Sequence, residues 1–166
     1  MTLAAPIEIE SPHPTLQPQG WLRYFSFSLD HKVIGLQYLV TGFLFYFLGG
    51  ALAGVIRTEL ASPLSDFVPR QTYNEVLTLH GTVMIFLWIV PVVNGAFGNY
   101  LIPFYVGARD MAFPRLNAVA FWLIPPAGLL LISSYFLTGG AAQSGWTAYP
   151  PLSITTPALG QVIWIL

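Results

Sequence analysis

The chain contains no cysteine in its 166 residues. Disulfides, zinc–thiolate sites, iron–sulfur clusters and thiol nucleophiles are therefore excluded, and a metal could be held only by histidine, carboxylate or methionine. Charge is the second scarcity: 6 basic and 7 acidic residues make up 8 % of the chain, against about 25 % in an ordinary soluble domain. Too few charged side chains are present to cover a water-soluble globule, and the composition is equally unlike that of a disordered chain. The net charge of −1 speaks against nucleic acid or any other polyanion as a partner. Residues 1–22 lack the basic start and apolar core of a secretory signal, and the arginines of a mitochondrial presequence. With Pro6, Pro12, Pro14 and Pro18 beside Glu8 and Glu10, they are expected to form a proline-rich cytoplasmic tail.

What fills the chain instead is apolar. Hydrophobic residues make up 55 % and aromatics 15 %, with a mean hydropathy of +0.65. No charge falls within residues 33–56, 76–108 or 116–166. A charge-poor apolar stretch of about 18 residues suffices to cross a bilayer as a helix. The pattern predicts an all-α integral membrane protein with spans at about 33–56, 76–105 and 118–137. An irregular outer loop is expected at 139–157, followed by the start of a fourth span at 159–166. The second span is longer than the hydrocarbon core, and Pro91 and Pro103 are its expected kink points. Before the first span, residues 21–32 mix aromatic and charged side chains, as a membrane interface does. Arg23, Lys32, Arg109 and Arg115 fall on one side of the membrane, Arg57 and Arg70 on the other. The excess of basic residues puts the N-terminus and the 107–115 loop on the cytoplasmic side.

His80 lies inside the second span, five residues past Glu75. An ionisable residue there is costly and is a functional candidate by default. Neutral imidazole is the commonest metal ligand, and a single histidine on a helix most readily serves a haem as axial ligand. A buried histidine bonded to a neighbouring helix is the alternative. Stepping along the α-helical wheel leads from His80 to Met84, Leu87, Pro91, Gly95 and Gly98, a face that becomes small. Asp110 stands between Arg109 and Arg115 in the short cytoplasmic loop, where it could be a solvated acid paired with arginine. With Asn99 and Asn117 near the same membrane face, it could instead open a water-filled proton path, because amides orient water as donors and as acceptors. Arg57 ends the first span on the side of His80, a place equally suited to interfacial snorkelling. Trp146 and Tyr149 lie in the outer loop, where they could belong to the aromatic belt or bind carboxylates. His13 and His31 are expected to be solvated, in the tail and at the interface.

Four runs carry a family resemblance: Leu79-His-Gly-Thr-Val-Met84, Asn94-Gly-Ala-Phe-Gly-Asn99, Gly107-Ala-Arg-Asp-Met-Ala-Phe-Pro-Arg115 and Gly145-Trp-Thr-Ala-Tyr-Pro-Pro-Leu152. From about residue 21 to 166 the chain resembles subunit I of the haem–copper oxidases, of the cytochrome c oxidase, A-type kind. The resemblance implies a twelve-helix membrane fold and a respiratory enzyme that passes electrons from cytochrome c through haem to O2 while pumping protons. It implies that His80 is the axial ligand of a low-spin a-type haem, and that Arg57 meets that haem's formyl group. Trp146 and Tyr149 would lie near the haem propionates, Asp110 would open the D proton pathway, and Asn99 and Asn117 would line it. Glu59 matches an acid of an accessory cation site in some members, and Arg109 stands where members often carry proline. The implied partners are the lipid bilayer, oxidase subunits II and III, and cytochrome c acting through subunit II. The ligands of the high-spin haem and of copper B lie beyond Leu166 in the family. The chain is accordingly expected to be an N-terminal fragment or truncated copy, inactive alone. A non-enzymatic remnant and a fragment of a quinol-oxidising relative are the competing readings, and the aspartate with its two asparagines disfavours a nitric oxide reductase.

Overall fold

The computed structural model describes residues 20–64, 66–156 and 159–165, so most of the expected tail, His13 included, lies outside the described residues. The described residues are helical, with one isolated bridge between Ala141 and Gly160 and no strand. Three helices are long and apolar enough to cross a membrane: α1 (His31–Glu59), α2 (Arg70–Val106) and α3, which with a closing 3₁₀ turn spans Pro114–Phe136. Two short helices follow, α4 (Leu152–Thr155) and α5 (Leu159–Ile165).

Local chemistry explains the helix ends. Asp30 caps α1, its carboxylate accepting the Lys32 amide at 2.9 Å. Gln37, one and a half turns inside, donates to the carbonyls of Tyr24 and Ser26 at 3.1 and 2.8 Å and fastens the preceding segment to the helix. Gly107, at a φ of +69°, closes α2 in the left-handed conformation that a residue without Cβ adopts at least cost. Pro114 opens α3 at the first helical position, where its missing amide hydrogen has no helical partner to lose.

The middle of α2 departs from the α-helical wheel. Val83–Ile89 and Pro91–Phe97 are π-helical turns, so hydrogen bonds there skip one residue further than in an α-helix. Pro91 begins the second of them, and the helix continues through it. The wider turns rotate successive side chains away from the 3.6-residue pattern. Gly95 is buried and Gly98 partly so.

Two apolar clusters hold the three helices together. Ile34, Tyr38, Ala96, Ala118 and Phe121 form one, where the Tyr38 and Phe121 rings meet edge to face at 5.2 Å. Leu79, Val83, Leu87, Leu131 and Ala141 form the other. Close approach depends on glycine: the Tyr38 ring occupies the space a Cβ on Gly95 would need. Gly95→Ala should therefore destabilise the detergent-solubilised protein by about 1–3 kcal/mol, through overpacking. Gly98→Ala, whose Cβ would make only ordinary contacts, should be neutral or mildly stabilising. Equal Tm values for the two variants would refute this packing account.

Candidate functional site

The sequence candidates gather towards the two ends of α2. Near its first end, His80 is half-buried and its Nδ1 lies 2.9 Å from the Gly49 carbonyl oxygen of α1. A carbonyl only accepts, so Nδ1 carries the proton in this bond and Nε2 is the nitrogen that could act as a ligand. That orientation, with one ring nitrogen held by backbone, is the arrangement in which histidines ligate metals. Gly50, Gly54 and Arg57 follow at helical spacing on α1, and a Cβ on either glycine would meet nothing within 4 Å. Among the described residues the His80 ring has one nitrogen bonded to α1 and the other without a hydrogen-bond partner, a donor chemistry that suits an axial haem ligand. Arg57 is exposed in the last turn of α1. Trp146 packs its indole on Gly81, the residue after His80, and meets the Phe86 ring edge to face at 6.2 Å. Tyr149, three residues on, is exposed. Among the described residues no cluster of three histidines or acids is placed to hold a metal ion by itself.

Towards the other end of α2, Asn99 is buried and donates to the Gly95 carbonyl at 2.6 Å, while its Oδ1 accepts from the Asn117 amide of α3. The two asparagines, separated by 18 residues in sequence, are directly bonded. With Met111 they line a cleft of about 320 Å³. Asp110 precedes Met111 and accepts its backbone amide at 2.7 Å. The same carboxylate oxygen lies 3.1 Å from His31 Nδ1.

This last contact corrects two expectations. His31 is 6 % exposed, not solvated, because the first turn of α1 packs under the 107–115 loop and the Asp110 carboxylate supplies the ring's polar partner. Asp110 pairs with that histidine and with neither Arg109 nor Arg115, both of which are exposed. Nothing local in the sequence signals a pairing across 79 positions. Glu75, the last charged residue before the uncharged run 76–108, is buried as well. It is 4 % exposed and bonded to Gln71 Nε2 at 2.8 Å. Its signal was available: Gln71, Glu75, Thr78 and Thr82 make a polar stripe at helical spacing.

A family model described as "Cytochrome C and Quinol oxidase polypeptide I" matches residues 33–166. The chain belongs to that family. It is 60 % identical to cytochrome c oxidase subunit 1 of Synechocystis over 166 residues, which is all of this chain and 29 % of that protein. Against the same-named protein of Thermostichus vulcanus the identity is 63 % over 146 residues, 88 % of this chain and 26 % of the relative. The Corynebacterium glutamicum protein of that name is 41 % identical, across all of this chain and 30 % of its own length. The chain thus spans under a third of the relatives it matches. Membership makes it part of a respiratory oxidoreductase family of multi-span helical membrane proteins, in keeping with the three apolar helices.

Proposed function

We propose that the chain forms part of the catalytic subunit of a terminal respiratory oxidase, which takes electrons from cytochrome c to O2 and couples the transfer to proton movement. The observation that carries this reading is the His80 geometry: an imidazole anchored through Nδ1 to the Gly49 carbonyl would offer Nε2 as axial ligand to a low-spin a-type haem. Bound there, the haem would supply one-electron carriage. The protein's part is to orient the imidazole, to keep Gly50 and Gly54 clear of side chains, and to place Arg57 and Trp146 at the rim. Arg57 would meet the haem's formyl oxygen, and Trp146 with Tyr149 would approach its propionates. In this reading the high-spin haem and copper B would be held by other parts of the oxidase's catalytic subunit.

Asp110 is the proton entrance in this reading. Its carboxylate, exposed on one side and bonded to His31 on the other, sits one residue from the cleft that Asn99 and Asn117 line. Amides orient water as donors and as acceptors, so a proton received at Asp110 would pass inward on water that Asn99 and Asn117 hold. The excess of basic residues puts this end on the cytoplasmic side, and His80 near the outer face. The lipid bilayer, subunits II and III, and cytochrome c as electron donor through subunit II are the expected partners.

The family description covers both cytochrome c and quinol oxidases, whereas the three relatives above are named cytochrome c oxidases. Oxygen uptake by the assembled oxidase carrying this chain, supplied with reduced cytochrome c or with a quinol, tests the donor. Rapid uptake with cytochrome c is expected; uptake with quinol alone would overturn the assignment.

A further inference from the structure

Two hydrogen-bond donors converge on one oxygen of Asp110. Oδ1 accepts the Met111 amide at 2.7 Å and lies 3.1 Å from His31 Nδ1. With Oδ1 as acceptor, Nδ1 is the donor, a role open to the imidazole as the Nδ1–H tautomer and as the cation alike. The contact therefore does not depend on the charge of the ring. Oδ2 has no hydrogen-bond partner among the described residues. The carboxylate, with 40 % of its side chain exposed, is thus tied by one oxygen and open at the other.

The histidine is itself well fixed. It is the first residue of α1, behind the Asp30 cap, whose carbonyl accepts the Ile34 amide at 3.0 Å. Its side chain is 8 % exposed, so the ring has little freedom to turn away. The other acid near it, Asp30, has a carboxylate oxygen 4.0 Å from Nδ1, beyond hydrogen-bond range, and gives that oxygen to the Lys32 amide. Arg23, Lys32, Arg109 and Arg115 are exposed, and among the described residues no arginine or lysine lies within 4.0 Å of the Asp110 carboxylate. Asp110 stands outside regular helix, between the end of α2 at Val106 and the start of α3 at Pro114. Among the described residues its bond to His31 is the one hydrogen bond that joins residues 109–113 to α1. The Met111 amide belongs to the neighbouring residue and turns with the loop, so it cannot anchor the carboxylate to the bundle. Only His31 does that.

We propose that His31 is a positioning residue for proton entry: by holding Oδ1 it fixes the rotation of the Asp110 carboxylate, so that Oδ2 exchanges protons with water beside the cleft that Asn99 and Asn117 line. The inference rests on the reading of Asp110 as proton entrance. A proton binds to Oδ2 from one water and leaves it for the next, so the carboxylate returns to its starting state and the imidazole gains and loses nothing. Misplacing a reacting group by about 1 Å can cost on the order of 100-fold in rate. The loop ends and the Met111 bond would still restrain a carboxylate freed from His31, so a loss of about tenfold is expected.

Oxygen uptake and proton release per electron, measured on the assembled oxidase carrying this chain in reconstituted vesicles, test this. His31→Leu removes the donor and should slow turnover about tenfold with the haem absorption bands unchanged. His31→Asn, which carries an amide N–H near the position of Nδ1 but cannot take up a proton, should recover most of the rate. In the Asp110→Asn background His31→Leu should cost nothing further, because no proton-accepting carboxylate remains to be positioned; a merely structural role would make the two losses add. Wild-type turnover in His31→Leu would overturn the proposal. So would a His31→Asn variant no faster than His31→Leu, which would point to proton transfer through the ring. Where His31→Leu fails to assemble, His31→Asn decides alone: a rate near wild type is expected, and a rate about tenfold down or lower sinks the role. Normal pumping in Asp110→Asn would instead remove the underlying reading of Asp110, so the two failures are distinguishable.

Discussion

His80→Ala in the assembled oxidase is expected to abolish the low-spin haem band and to lower oxygen consumption at least about 100-fold. Even outer partners of metal ligands typically cost 10- to 100-fold in affinity or activity, and this substitution removes the ligand itself. The Gly49 carbonyl would then lose its donor as well, so His80→Gln separates the two effects by restoring a hydrogen-bond donor without an imidazole. Both variants should lack the band if His80 ligates iron. If His80 is only a helix-bridging histidine, both should retain it, with at most reduced thermal stability. An unchanged reduced-minus-oxidised spectrum in His80→Ala would end the assignment.

The second large effect concerns Asp110→Asn. Turnover should fall on the order of 100-fold, the low end of what a positioned proton-transfer group contributes, and proton release per electron should drop towards zero. An asparagine can still accept hydrogen bonds from His31 and from the Met111 amide, so loss of fold is not the expected cause. Asp110→Glu, which keeps the carboxylate, should recover part of the rate. Proton-to-electron stoichiometry measured in reconstituted vesicles decides: normal pumping at normal rate in Asp110→Asn would remove Asp110 from the proton path.

The sites were unequally legible before the fold was known. His80 stood out because a titratable ring inside an apolar run has few explanations. Asn99 and Asn117 could be placed near one membrane face by counting residues, but only packing of α3 on α2 brings their side chains into a hydrogen bond. His31 was misread for a physical reason. One residue after a capping aspartate, at the edge of a charged and aromatic segment, local composition predicts exposure. Its burial comes from a loop 79 positions away folding over it. The wheel stepped from His80 reaches Leu87, Pro91 and Gly95, which are buried, and Met84 and Gly98, which are partly so.

Scarcity of charge and the length of the uncharged runs were enough to require a membrane, and to make the described residues helical. In hydrocarbon each backbone amide must be satisfied within the structure, and an apolar run does so locally by coiling. Pairings were a different matter. His31 with Asp110, His80 with Gly49, Glu75 with Gln143 and Trp146 on Gly81 are all contacts between separate segments. Each depends on how three helices and one loop are set against one another. Side-chain period and burial on one segment cannot encode that, because the partner lies on another.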